Sequence, residues 1–519
     1  MIRKLIKSLL EAKAYPEPTA KVRLIETHVS FIFLTDHFVY KVKKPVNFGF
    51  LDFTTLDRRR FYCEEEVRLN RRLCPDIYLG VVELRQSARG ASFAGAGKVI
   101  EYAVKMKRLP EERMLATLLE RGEAGVEEMT RIARVIAAFH GKAARGPQID
   151  ACGSTGIIRG NWEENFRQTA PFAGVTIAPE ELAVIRHWVE RFLIGNEELF
   201  RARVAAGFIR ECDGDLHSGN ICLTNGICIF DCIEFNERFR YIDTAADLAF
   251  LLMDLEYAER PDLSAALLEA YLDETSDTGL LALVDFYKVY RAFVRGKVKS
   301  FRVSEPGLPP EQSAEARKGA TRYFRLARGY TLRERLAPSL IITCGLMGSG
   351  KSVLARQLGF ELGLVLQRSD LVRKLLSGRP AAGTGAAPYR AGIYTKELDQ
   401  ATYRALLEEA KLSLGKGKSI IVDATFRRLQ DRENFRALAT KLGAPFFVIE
   451  TRCPEQLIRE RLEARRLDPD EVSDGRWEHF RQHQAEFEPP AQGESIPIDG
   501  TLPVLTAADL AMKAMGLLA

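Results

Sequence analysis

The 519-residue sequence has no apolar stretch of transmembrane length, and its start, Met1-Ile2-Arg3-Lys4-Leu5, lacks the long apolar core and cleavage site of a signal peptide. No membrane partner is indicated, and a cytoplasmic location is expected. Charge of one sign is also scarce. The net +5 is spread along the chain without a long basic run, so charge does not indicate nucleic acid as a partner. The nine cysteines are odd in number and lie mostly in apolar segments, and Cys212, Cys222, Cys228 and Cys232 cluster without paired CxxC spacing. Buried thiols are expected there rather than zinc, in a chain large enough to fold without disulfide staples. No internal repeat is visible, and the Ala/Gly-rich stretch Arg379 to Ala387 reads as a mobile loop. What remains is an ordinary globular composition, 46% hydrophobic and 28% charged, on a chain long enough for about two to four folding units.

The clearest stretch runs from Ser339 to Ser352. Ser339-Leu340-Ile341-Ile342-Thr343-Cys344 reads as a buried strand and leads into Gly345-Leu346-Met347-Gly348-Ser349-Gly350-Lys351-Ser352, a complete phosphate-binding loop. Gly345, Gly348 and Gly350, with Ser349, let backbone N–H groups turn inward around a phosphate. Lys351 would reach the β and γ oxygens and Ser352 would hold Mg²⁺. The helix predicted from Val353 turns its positive end toward the anion.

In the first half, Val22 to Phe33 and Phe38 to Lys43 read as two strands. Lys41, on one face with Val39, is placed as a lysine that holds ATP phosphates, and Lys43 shares that face. The helical stripe from Phe61 to Leu73 contains Glu66, a carboxylate that calls for a cation. Lys41 with Glu66 forms the pair of a kinase small lobe, with Glu65 as the alternative. The strand Val99 to Met106 ends at a candidate hinge, Lys107-Arg108-Leu109-Pro110. Val126 to His140 is amphipathic, with His140 expected to be structural. Cys212-Asp213-Gly214-Asp215-Leu216-His217-Ser218-Gly219-Asn220 then sets Asp215 and Asn220 at kinase catalytic-loop spacing. Asn225-Gly226 predicts a hairpin that returns Asp231 beside Asn220, giving two oxygen ligands for a metal.

These residues resemble the aminoglycoside phosphotransferase family, whose loop reads His-Gly-Asp-Leu-His followed by an asparagine. Asp213 stands here in place of the first histidine, and Glu26-Thr27-His28-Val29-Ser30 occupies the place of a glycine-rich loop. The resemblance implies a two-lobed kinase-like fold, Asp215 as catalytic base, Asn220 and Asp231 as magnesium ligands, and Asp247 as the anchor of the catalytic loop.

The domain boundary is expected near Pro338, giving a kinase-like domain over 1–337 (small lobe about 1–108, large lobe about 109–337) and a P-loop domain over 338–519. The charged helix Glu311 to Arg335 is expected to pack on the first. In the second domain, Asp370 ends a strand with Arg373 one helical turn on, and Ser419-Ile420-Ile421-Val422 delivers Asp423, an acidic strand end beside the phosphate loop. A late helix carries Arg459, Arg461, Arg465 and Arg466, followed by Val472-Ser473-Asp474. This half resembles small nucleoside and polynucleotide kinases, with zeta toxins and gluconate kinases as relatives. The resemblance implies Asp370 as hydroxyl-activating base, Arg373 as substrate contact, Asp423 as metal or substrate contact, and Arg461 and Arg465 as lid arginines.

The fold class expected is therefore an α+β two-lobed kinase-like domain followed by an α/β P-loop domain with a mostly parallel sheet. The expected function is ATP- and Mg²⁺-dependent phosphoryl transfer to a hydroxyl of a small molecule. Two other readings stand beside it: an ATP-binding switch with an inactive first half, and a nucleic-acid 5′-hydroxyl kinase in the second.

Overall fold

The computed structural model describes residues 2–49, 51–88, 90–305, 307–378, 395–465 and 477–518. The stretch Arg379 to Ala387, Arg466 and Val472-Ser473-Asp474 lie outside the described residues. The chain forms two compact units, Met1–Phe324 and Arg325–Ala519. The division falls inside the helix Pro310–Arg333. Its earlier turns pack on the first unit, where Tyr323 stacks on Tyr257 at 3.8 Å and Phe324 meets Phe293. Its last turns belong to the second, where Arg325 and Arg328 pair with Glu361 and Asp509.

Among the described residues, the first unit opens with a six-stranded antiparallel sheet. Its spatial order is Arg23–Glu26, Ser30–Leu34, Phe38–Lys43, Lys98–Lys107, Tyr78–Ser87, Gly90–Ser92. The run expected as one strand from Val22 to Phe33 is two, folded by a tight turn in which Thr27 N–H donates to Ser30 O at 2.9 Å. Helix Leu56–Asn70 follows, capped by the Thr55 side chain, which accepts from Arg58 N. Its inward face carries charge as well as Cys63 and Val67. Arg59 is buried on Glu101, with both groups held by bidentate hydrogen bonds, which is how a core admits such residues.

The rest of this unit is largely helical, around Thr244–Tyr257. From Thr244 to Leu255 every residue of that helix is buried, as befits a segment apolar on all sides. Its two interior carboxylates, Asp247 and Asp254, therefore find partners on neighbouring backbone rather than in water.

The second unit contains a five-stranded, all-parallel sheet in the order Val365–Arg368, Ile420–Asp423, Leu340–Cys344, Phe446–Arg452, Ile496–Asp499, with helices between the strands. Parallel strands need such crossovers and bury both faces, which explains the unbroken Leu340-Ile341-Ile342-Thr343-Cys344 run. The phosphate-loop strand lies at the centre, with Ile342 opposite Val422 on one side and Val448 on the other. No described helix is long and apolar enough to cross a membrane.

Cysteine departs from the expectation of thiols only. Cys74 and Cys228 form a disulfide across a sequence separation of 154, while Cys212, Cys222 and Cys232 are buried thiols. Cys74 follows the helix Leu56–Asn70 and Cys228 lies in the hairpin strand Ile227–Ile229, a juxtaposition that only the folded chain creates.

Candidate active sites

In the first unit, strand Phe38–Lys43 and helix Leu56–Asn70 place Lys41 and Glu66 together, with Lys41 Nζ 2.9 Å from Glu66 Oε1. Glu66 is fully buried, whereas Glu65 pairs with Arg68 at the surface. Lys41 also lies 2.6 Å from Asp231 Oδ1. Burial alone would lower the lysine, but Asp231, Glu66 and Glu234 more than offset it and hold the ammonium well above its ordinary value. Glu66 is shared. Its other oxygen is 2.6 Å from Lys43 Nζ, which also binds Glu234. Burial would raise Glu66, yet Lys41 and Lys43 hold it down to about 2.

Lys43 and Glu234 are thus part of this network although sequence reading did not assign them. Lys43 lies two residues from Lys41 and so on its face, but Glu234 sits in an irregular segment with no period to betray it. Replacing Lys43 by methionine leaves two buried carboxylates facing each other, and is expected to destabilise the first unit by about 3–5 kcal/mol in denaturant unfolding.

The hairpin forms with Cys222 opposite Cys228, and Phe230 N–H donates to Asn220 O at 3.0 Å, so Asp231 returns beside Asn220. Asp231 has φ +67°, a left-handed conformation that is costly for a non-glycine residue and recurs at functional positions. Its amide donates to the Tyr78 hydroxyl at 3.2 Å.

The loop carrying Asp215 is held from beneath. Asp247 accepts from Asp213 N at 3.0 Å and Gly214 N at 2.9 Å, and contacts His140 Nε2 at 3.1 Å, with Tyr271 on the other ring nitrogen. His140 is buried here, a structural residue. Asp215 itself is about one-third exposed, with its Oδ2 3.6 Å from His217 Nε2. Asn220 Nδ2 donates to Asp215 O at 3.1 Å and to Oδ2 at 3.2 Å, leaving the amide oxygen as the group that could hold a cation. Burial would raise Asp215, but His217, Arg295 and Arg291 bring it below its ordinary value. An ionised carboxylate beside an amide oxygen can orient a hydroxyl and accept its proton.

Asp213 behaves oppositely. It is buried, and burial, Asp247 and Asp215 push it well above its ordinary 3.8. A group whose folded-state value exceeds the unfolded one lends stability that is full below about pH 3.8 and lost as pH rises through the folded value. Asp213→Asn keeps the acceptor for Asp215 N (3.1 Å) without the charge. The variant is expected to raise Tm by about 2 °C or more near pH 8, on the order of 1 kcal/mol, with the gain vanishing toward pH 4 in thermal scans.

In the second unit the loop Gly345–Gly350 joins the central strand to helix Lys351–Leu362. Gly345 has φ +135°, and a Cβ there would stand 2.6 Å from Thr451 O, so only glycine fits. Ser349 Oγ lies 2.6 Å from Thr451 Oγ1, and Lys351 Nζ donates to Leu346 O at 2.8 Å, curled over the loop. Ser352 occupies the helix's first turn. Burial lowers Lys351, with the charge of Asp423 opposing it. Asp423 accepts from Thr343 Oγ1 at 3.1 Å on the adjacent strand end. Arg461 Nη2 donates to Gly500 O at 2.8 Å, and its Nη1 lies 3.6 Å from where a Gly350 Cβ would stand. Asp370 and Arg373 bind each other at 3.1 Å, and Arg373 also binds Asp399 at 2.9 Å. Sequence reading missed His483. It is buried near Lys351 and Arg427, and burial with those two cations takes its imidazole down to about 3, so it is neutral.

Residues 62–283 match the phosphotransferase enzyme family and residues 340–490 match an AAA domain. A protein of Mycobacterium bovis and one of Mycobacterium tuberculosis, each described as uncharacterized, are 33% identical over 438 residues, covering 84% of this chain and 84% of their own. Among solved structures, a sugar kinase from a Janibacter species is 18% identical, covering 35% of this chain and 98% of its own at a TM-score of 0.26. A gluconokinase from Sinorhizobium meliloti is 17% identical, covering 35% and 94%, also at 0.26. The chain belongs to the family of these mycobacterial proteins, with a kinase-like phosphotransferase domain followed by a P-loop kinase domain.

Proposed function

We propose that the chain is an ATP-dependent phosphotransferase with two ATP-binding units, moving the γ-phosphoryl group to a hydroxyl of a small molecule. The observation that carries this reading is that each unit gathers a lysine and acidic groups of the kind phosphoryl transfer needs: Lys41 with Glu66 and Asp231, and Lys351 on the loop of a strand that runs beside the one ending at Asp423. Lys41 and Lys351 would hold phosphate oxygens. In the first unit the acceptor oxygen attacks the γ-phosphorus, the bond to the β–γ bridging oxygen breaks, ADP leaves, and the acceptor's proton passes to the Asp215 carboxylate. Asp370 would take that proton in the second, with Arg461 and Arg465 steadying the charge and Arg373 contacting substrate.

The donor sets suit Mg²⁺, being oxygen-only: the Asn220 amide oxygen with Asp231, and Ser352 with Asp423. When bound, the ion would neutralise phosphate charge. Asp231 must then exchange part of its contact with Lys41.

The switch reading draws support from the tight Thr27–Ser30 turn, which supplies no glycine-rich cover in the first unit. The separating experiment is ADP release by the full-length protein with and without a pool of hydroxyl-bearing metabolites. Stimulation by the pool, with phosphorylated product, is expected. ADP release indifferent to every acceptor would replace transfer by the switch.

A further inference from the structure

We propose that the hydroxyl acceptor of the first unit is an anion, bearing a carboxylate or phosphate that is bound by Arg295 and Lys299. This rests on the phosphotransferase reading of that unit and adds the charge class of its substrate.

The helix Val284–Val303 is tied directly to the loop of Asp215, since Arg291 donates to Gly214 O at 2.9 Å and to Ala246 O at 3.1 Å. One turn further on, the Arg295 guanidinium lies over the rings of Phe250 and Tyr323, at 5.9 and 5.7 Å. The His217 ring is 5.4 Å from the same Phe250 ring and 3.6 Å from Asp215. Phe250 therefore gathers Arg295 and His217 on the border of the proton acceptor. Lys299 follows at helical spacing, its stem against Gly319, where a Cβ would stand 2.9 Å from Lys299 Cδ.

Arg295 and Lys299 are both half-buried, and among the described residues neither has a carboxylate within ion-pair distance. Arg295 finds the Tyr323 hydroxyl instead. Of the two carboxylates that act on Arg295, Asp254 is already bound by Ser218 N and Oγ and Asp215 borders the acceptor position. Burial and Arg295 lower the Lys299 ammonium, with Arg302 adding to them and Glu315 opposing them only in part. Other interior cations of this unit have close partners: Lys43 has two carboxylates, Arg203 has Asp243 and Asp277, and Arg291 and Lys297 have carbonyl and amide oxygens. Asp254 and Asp215 act on Arg295 through space without closing an ion pair on it, so its planar fork is left to take carboxylate or phosphate oxygens in pairs. A cationic acceptor would meet like charge at the same place.

The test uses full-length protein carrying Lys351→Ala, so that turnover reports the first unit, and three pools of hydroxyl compounds: phosphate- or carboxylate-bearing, neutral, and amine-bearing. ADP release is measured with each pool, and binding of each pool in the presence of Mg-ADP is followed by ligand-observed NMR. Stimulation by the anionic pool is expected. For its active member, Arg295→Gln and Lys299→Gln should each raise KM about tenfold or more with kcat changed far less, and Arg295→Lys should recover part of the loss. Stimulation by the neutral or amine pool, indifferent to Arg295→Gln, would overturn the anionic assignment and leave the phosphotransferase reading intact. Arg295-dependent binding of anions without any turnover would uphold the site and remove the transfer reading. Neither binding nor turnover would remove both.

Discussion

Asp215→Asn, introduced into the Lys351→Ala protein, is expected to lower acceptor-dependent phosphoryl transfer by about 10²–10⁴-fold, the range lost with a positioned general base. The substitution is nearly isosteric, and its remaining oxygen can still accept from Asn220 Nδ2, which now stands 3.2 Å from Oδ2. The loop beneath is untouched because Asp247 holds the backbone of Asp213 and Gly214. What is lost is the site for the hydroxyl proton. The fall should therefore appear in kcat at saturating acceptor, with the KM for ATP little changed. Since Asp215 lies below its ordinary value, its ionised form persists through the neutral range, and no acid limb from this group should appear until below about pH 4. Transfer by the Asp215→Asn protein at the parental rate would remove Asp215 from the reaction.

The second large effect is expected from Lys351→Ala in an Asp215→Asn background, where ADP release reports the P-loop unit. Loss of a preorganised charge on developing phosphate oxygens should lower that rate by about 10²–10³-fold. Lys351 is buried, and its ammonium rests on Leu346 O until a stronger acceptor arrives, so little reorganisation separates the empty loop from the occupied one. Lys351→Arg is not expected to restore activity. The longer planar group would enter a loop where Arg461 already lies 3.6 Å from the Gly350 Cβ position. Nucleotide binding and ADP release together check this. Unchanged turnover in Lys351→Ala would mean that the loop does not perform the chemistry.

Much of this was legible in the sequence because it is local. Gly345 to Ser352 sits between a continuous apolar run and a helix, and spacing alone places its glycines, lysine and serine. Asp423 was readable from four apolar or small residues ending in an acid. The pairing of Lys41 with Glu66 followed from two periods, one of the strand and one of the helix, each assigning a face. The features not legible are set by tertiary neighbours. Glu234 meets Lys43 from an irregular segment, and Arg295 lies on a helix with basic residues scattered around it. His483 is buried on a short helix late in the chain, where the charge of Lys351 acts on it. Cys74 and Cys228 are ordinary apolar-segment cysteines until folding brings their Cα atoms within 5.0 Å.

That covalent link has a consequence for motion. Cys74 closes the segment after the helix presenting Glu66, and Cys228 stands three residues before Asp231, so the crosslink pins the two carboxylates that share Lys41 to one body. Two-lobed enzymes commonly admit nucleotide by swinging one lobe about a hinge. Here such a swing is tethered beside Lys41 itself. The strands Arg23–Glu26 and Ser30–Leu34 and the turn between them lie toward the other end of the sheet from Tyr78–Ser87, the strand that follows Cys74, and so outside the crosslink. With the bond intact, any swing of the segment after the Glu66 helix has to carry the strand before Asp231 along with it.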